Sequence, residues 1–147
     1  MHVKILLITL ILIYMNTSMA RDDIGNWPFK EAIERGINEG VLDGSVTFYL
    51  DGNPHPKIVK NHGEYRSNKK TNAVGKSDQK ACQWALLSAL KSFQQRAQSL
   101  GANAVVNIKS NYKNNTYSHP TEYQCGAGAI MAGVALKADV VKLEAVD

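Results

Sequence analysis

Long apolar runs are scarce in this sequence. The longest, Ile5 to Tyr14, is ten residues, short of the roughly twenty a helix needs to span a bilayer. Internal repeats are absent, and so is any linker that would divide the chain, so the 147 residues read as one domain behind a leader. Reaction motifs are missing as well. Gly75-Lys76-Ser77 looks like the end of a phosphate loop, but the position five residues before Gly75 is Lys70, where the motif needs glycine. No strong apolar strand precedes it, and no nucleotide is expected. No G-x-S-x-G turn presents a serine nucleophile. His55, His62 and His119 do not pair at the i, i+4 spacing of a zinc helix, so no metal or other cofactor is assigned. Cys82 is the one nucleophile candidate, and it falls on an apolar helical stripe where a thiol stays neutral and inert. No catalytic residue is assigned, and the chain reads as non-enzymatic.

The first twenty residues have a purpose of their own. Lys4 supplies a positive start, the apolar run follows, and Ser18-Met19-Ala20 places small residues where a signal peptidase looks. Residues 1–20 read as a cleaved secretory signal, with an N-terminal anchor as the alternative. No cysteine follows the run to take a lipid. Residues 21–147 then form the mature domain, periplasmic or secreted.

Without Lys4, sixteen basic side chains stand against thirteen acidic ones. The excess is concentrated between Lys57 and Lys80. Lys57, Lys60, Lys69, Lys70 and Lys76 are the candidate surface for an anionic partner, with Arg66 among them. In an exported protein that partner is an envelope protein or an anionic surface component. No nucleic-acid motif supports a nucleic-acid reading.

Cys82 and Cys125 both lie in the exported part, and an oxidising compartment favours a disulfide. Two cysteines allow one intramolecular pairing. Two buried thiols or an intermolecular bridge are the alternatives.

Regular structure is clearest between Ser77 and Asn111. Cys82, Leu86, Ala89, Phe93, Ala97 and Leu100 recur in steps of three and four, one face of a helix. Ser77 or Asp78 caps its start and Gly101 its end. Gln83 and Gln94 fall on the wet side. Trp84 and Leu87 make a second apolar patch, which a shorter helix bearing Phe29, Ile33 and Ile37 would cover. After Gly101 a strand is expected, with Ala104, Val106 and Ile108 on one side and Val105 on the other. Ser45–Leu50 and Lys57–Arg66 are expected to form a hairpin across Asp51-Gly52-Asn53-Pro54. Ser67–Gly75 reads as a surface loop. Thr121–Lys137 reads as one long strand whose Gly126, Gly128 and Gly133 admit the long helix. Val140–Val146 reads as a frayed tail or an added edge strand. The sum is an α+β fold: an antiparallel sheet of about four strands, one long helix on a face and a short N-terminal helix.

Leu100-Gly101-Ala102-Asn103-Ala104-Val105-Val106 after a long helix, followed by Tyr123-Gln124-Cys125-Gly126-Ala127-Gly128-Ala129, resembles the small YbjQ/RcsF-like family of bacteria. The resemblance covers roughly Ser77 to Lys137. It implies an antiparallel sheet with the helix across one face. RcsF-like envelope members are disulfide-stabilised and sense outer-membrane stress, and Cys82 and Cys125 stand roughly where one such bridge would lie. The chain departs from them in lacking a second cysteine pair and a lipid-attachment cysteine. Exported proteins of this look often carry the label of an excinuclease ATPase subunit, which the incomplete phosphate loop argues against. YbjQ-like members assemble into rings, so a homo-oligomer that binds a small molecule or metal is the alternative to a partner-binding, stress-related envelope protein.

Overall fold

A computed structural model describes residues 21–146; the expected signal, residues 1–20, lies outside the described residues. In chain order the elements are β1 (Asp23–Pro28), α1 (Phe29–Asn38), β2 (Thr47–Leu50), β3 (Ile58–Asn72), α2 (Asp78–Leu100), β4 (Ala104–Ser110), a 3₁₀ turn (Tyr112–Asn114), β5 (Glu122–Ala127) and β6 (Met131–Leu143). The fold is α+β, with both helices expected from the sequence. No helix of the described residues is long and apolar enough to cross a membrane.

α2 runs between the two signals read for it. Ser77 Oγ accepts from Lys80 N at 3.2 Å. At the other end Gly101 turns left-handed, φ +70°. Its N–H bonds Gln98 O, and Ala102 N–H bonds Ala97 O at 2.8 Å, the paired closure that satisfies free carbonyls. The stripe Cys82, Leu86, Ala89, Leu90, Phe93 and Ala97 is buried. α1 lies beside α2, close because Gly36 has no side chain: a Cβ there would overlap Leu87 Cδ2. Gln83 and Gln94 are buried rather than wet. Each has a polar partner to satisfy it: Arg35 Nη1 donates to Gln83 Oε1 at 2.8 Å and Asp43 N to Gln94 Oε1 at 3.0 Å.

The sheet is larger than expected and mixed. Its order is β1-β5-β6-β4-β2, and β3 pairs with the other edge of β6. β2 runs parallel to β4; the other pairs are antiparallel. The expected β2–β3 hairpin does not form. Its turn does, with Asn53 N on Leu50 O at 3.0 Å. Pro54 and Pro56 then follow, and neither has an N–H for a ladder. β3 instead continues through the expected loop to Asn72, paired along β6. An edge strand that pairs through its backbone needs no apolar alternation, so its polar sequence gave no strand signal.

The expected single strand after Thr121 is two. Gly128 N bonds Met131 O at 2.8 Å and reverses the chain. β6 then runs on to Leu143, flanked by β3 and β4, so the C-terminal stretch is neither frayed nor an edge. β1 was not foreseen; it pairs with β5. In β4 the expected alternation breaks at Asn107, φ +54°, where the register slips. Val105 and Ile108 therefore join the main core under α2, while Ala104 and Val106 join Val141 and Leu143 in a smaller cluster on the other face.

Cys82 and Cys125 are bonded, with Cα atoms 5.8 Å apart and both side chains fully buried. The bridge ties the first turns of α2 to β5. Closing that loop is worth about 4 kcal/mol in the chain-entropy account. Because Cys125 faces α2, the pleat turns Gly126 to the opposite face of the sheet. α2 therefore does not lie across the glycines. Tyr112 does: a Cβ on Gly126 would overlap its Cζ and Oη, and one on Gly133 would stand 3.7 Å from the ring.

Candidate functional site: a cationic cleft on the open sheet face

On the face of β6 turned away from α2 stand Gly133, Ala135 and Lys137. Across the ladder on β3, in register, are Lys70, Asn68 and Arg66. On the other side Lys109 of β4 stands opposite Lys137. Three strands thus place Arg66, Lys137 and Lys109 in one cross-strand row. Like charges directly opposite are unfavourable in a sheet unless an anion offsets them. Lys109 has one nearby, Asp51, at 3.9 Å. Lys137 donates to the Thr116 hydroxyl at 2.7 Å. Arg66 and Lys70 have no ion pair among the described residues.

Tyr112 rises from the 3₁₀ turn over this face. Asn111 N bonds Ala135 O at 2.8 Å and anchors the turn to β6. Lys113 and Asn114 take left-handed backbone angles, φ +51° and +62°, which sharpen it. Asp22 meets both residues: Tyr112 Oη donates to its Oδ1 at 2.9 Å, and Lys113 pairs with its Oδ2. The Lys113 hydrogen bond, and then that of Tyr112, hold the Asp22 carboxyl below the usual carboxylate range. Burial, then Asp22, pushes the Tyr112 phenol up, and Asp22 pushes Lys113 up.

The ring divides the face into two depressions. The larger, about 570 Å³, is bounded by Arg21, Asp22, Lys70, Ile130 and Met131 over a floor of Gly126 and Gly133. The smaller, about 360 Å³, has Asn68, Lys113 and Ala135 in its lining. Lys70, Tyr112 and Gly133 line both. Such an arrangement holds an anion by charge and by hydrogen bonds from flexible ammonium groups, with the aromatic ring as a wall.

The five lysines singled out in the sequence do not form one surface. Lys70 is in the cleft. Lys69, its neighbour, stands opposite Val134 on the α2-facing side of the pleat and still lines the smaller depression. Lys76 lies in the turn before α2, its Nζ on Asn72 O at 2.8 Å. Lys60 is at the far end of β3 opposite Lys142, with Lys57 just before the strand. Ten residues of strand separate Lys60 from Lys70, about 33 Å. Tyr112, Lys113, Lys137 and Asp22 were not foreseen. The alternation of Gly133, Ala135 and Lys137 would have pointed to Lys137 had β6 been recognised as central.

The other chemistry weighed in the sequence finds structural uses. His119 Nδ1 accepts from Thr121 N and Glu122 N at 3.1 and 3.0 Å, capping the start of β5. His55 packs edge-on against Tyr49. Among the described residues no three His, Cys, Asp or Glu side chains gather as a metal site would need. Ser77 spends its hydroxyl on the cap of α2, so Gly75-Lys76-Ser77 is a helix start after a turn. No protein-family model matches the chain, and no curated protein does.

Proposed function

We propose that the mature chain is an exported, non-enzymatic binding protein of the cell envelope, locked by one disulfide, that recognises an anionic partner at the Tyr112 cleft. The observation that carries this reading is the cross-strand row of Arg66, Lys137 and Lys109 on the same sheet face as Lys70; of these four only Lys109 has an ion pair among the described residues. A cross-strand row of like charge is poised for an anion to neutralise it, and Glu64 and Asp139 stand in the next row of the same face. The resemblance of Leu100–Val106 and Tyr123–Ala129 to the YbjQ/RcsF-like family, and the leader read in residues 1–20, support an envelope setting, periplasmic or secreted. A short linear polyphosphate is a suitable probe. Its addition shifts amide resonances of Lys70, Tyr112 and Gly133 if the reading holds. Shifts confined to the neighbourhood of Lys57 and Lys60, or none, contradict it.

A second reading, a small-molecule-binding oligomer of the YbjQ-like type, is favoured by the 570 Å³ of the larger depression, ample for a compact ligand. Molar mass by light scattering separates the two, a multiple of the chain mass favouring the second.

A further inference from the structure

Among the described residues, four of the seven large apolar side chains left in solvent are gathered at one end. Ile130 is 66% exposed, Val74 60%, Ile24 55% and Met131 46%. They sit on adjoining chain reversals. Gly128 to Met131 is the β5–β6 turn, and Ala73 to Lys76 is the turn into α2, closed by Lys76 N on Ala73 O at 3.1 Å. Ala73 N bonds Ile130 O at 2.7 Å, so the two turns are held together as one tip. Ile24 stands beside them on β1, paired in register with Gly126. Nothing in the fold requires Ile130 or Val74 to be apolar at such exposure, and exposed apolar side chains on two turns bonded to each other mark a contact surface.

The tip is rimmed by positive charge. Lys69 and Lys70 lie near the end of β3, Lys76 is in the turn itself, and Lys80 is in the first turn of α2. None of the four has an ion pair among the described residues. The carboxylates at this end are engaged: Asp23 and Asp78 by Arg21, at 2.9 Å each, and Asp22 by Lys113. Apolar side chains at a turn, with unpaired lysines behind them, match the two layers of an anionic bilayer surface: acyl boundary beneath, phosphate above. Arg21, where the mature chain is read to begin, donates to Gly128 O at 3.0 Å at this same tip.

We infer that the paired turns Ala73–Lys76 and Gly128–Met131 are a docking tip for the surface of an anionic lipid bilayer, with Val74, Ile130 and Ile24 entering the interface. The inference rests on the reading of an anionic partner and identifies it. Lys70 belongs both to the rim and to the Tyr112 cleft, so phosphate groups of docked lipid lie at the mouth of the larger depression.

Co-sedimentation of the mature chain with phosphatidylcholine vesicles, with and without phosphatidylglycerol, tests this beside binding of soluble polyphosphate. The wild type sediments only with the anionic vesicles. Val74→Ser with Ile24→Ser, neither of which lines the cleft, lowers vesicle partitioning at least about tenfold and leaves polyphosphate affinity unchanged, because apolar area adds to charge at a membrane and not in free solution. Both positions are exposed, so the variant folds, which its circular dichroism confirms. Vesicle binding that is indifferent to this pair overturns the tip, as does polyphosphate binding without vesicle binding. Loss of both binding activities in the wild type removes the anionic-partner reading itself.

Discussion

The ring of Tyr112 covers Gly126 so closely that no side chain fits beneath it. This contact sets the height of Tyr112 above the sheet and hence the shape of both depressions. Gly126→Ala forces the ring away and should cost about 1–3 kcal/mol, the usual penalty for an extra methyl where there is no room. Urea unfolding measures it. Combining Gly126→Ala with Tyr112→Ala should recover most of that loss, since the obstacle is removed.

The Cys82–Cys125 bridge is fully buried. Replacing both cysteines by Ala should lower stability by about 2–4 kcal/mol, less any strain the bridge imposes, with the α+β fold retained. The midpoint of urea unfolding reports the difference. In the native protein, mild reductant without denaturant should leave the bridge intact, because a thiolate cannot reach a sulfur enclosed by α2 and β5.

Asp22 and Lys113 give the turn a defined pH response. The Asp22 carboxyl is held low in the folded chain, so its contribution is complete above its unfolded value and is lost as pH falls through the folded one. Lys113 is held high, so its contribution is complete below its unfolded value and is lost as pH rises through the folded one. Asp22→Asn should therefore lower Tm by a constant amount between about pH 5 and pH 9, and the difference should vanish in strong acid. The ion pair is exposed, so the effect is small and shrinks with added salt.

Tyr123 presents the opposite situation. Its side chain is fully buried and its hydroxyl has no partner among the described residues. Burial, then the charge of Glu31, pushes the phenol well above its ordinary value. Tyr123→Phe removes an unpaired polar atom and keeps the ring against Phe29, so it should raise stability by about 1 kcal/mol, visible as a higher Tm.

What could be read from the residues was whatever has a local cause. α2 carries its stripe, its serine cap and its glycine stop within its own sequence, and its limits were legible to within one residue. Pairing has no such local cause. β2 and β3 look like a hairpin because a turn stands between them, yet Pro54 and Pro56 separate them and the long β6 captures β3 by backbone bonds alone. The same reason hid the cleft. Lysines close in sequence on β3 point to alternate faces, and the cations that do meet come from β3, β4, β6 and the 3₁₀ turn. Cys82 and Cys125 could be paired from the sequence only because there were no others. That α2 would sit on the face away from the glycines could not be read, since it depends on which way Cys125 points.

The most direct test of the account is the affinity of the mature chain for a soluble polyphosphate, compared between two charge-matched variants by isothermal titration at low salt. Arg66→Ala with Lys70→Ala removes one cation of the cross-strand row and one of the cleft; Lys57→Ala with Lys60→Ala removes as much charge from the far end of β3. The account predicts that the first weakens binding about tenfold or more and flattens its salt dependence, while the second changes it little. Equal losses from both variants would mean that the charge acts without a site and would contradict the account.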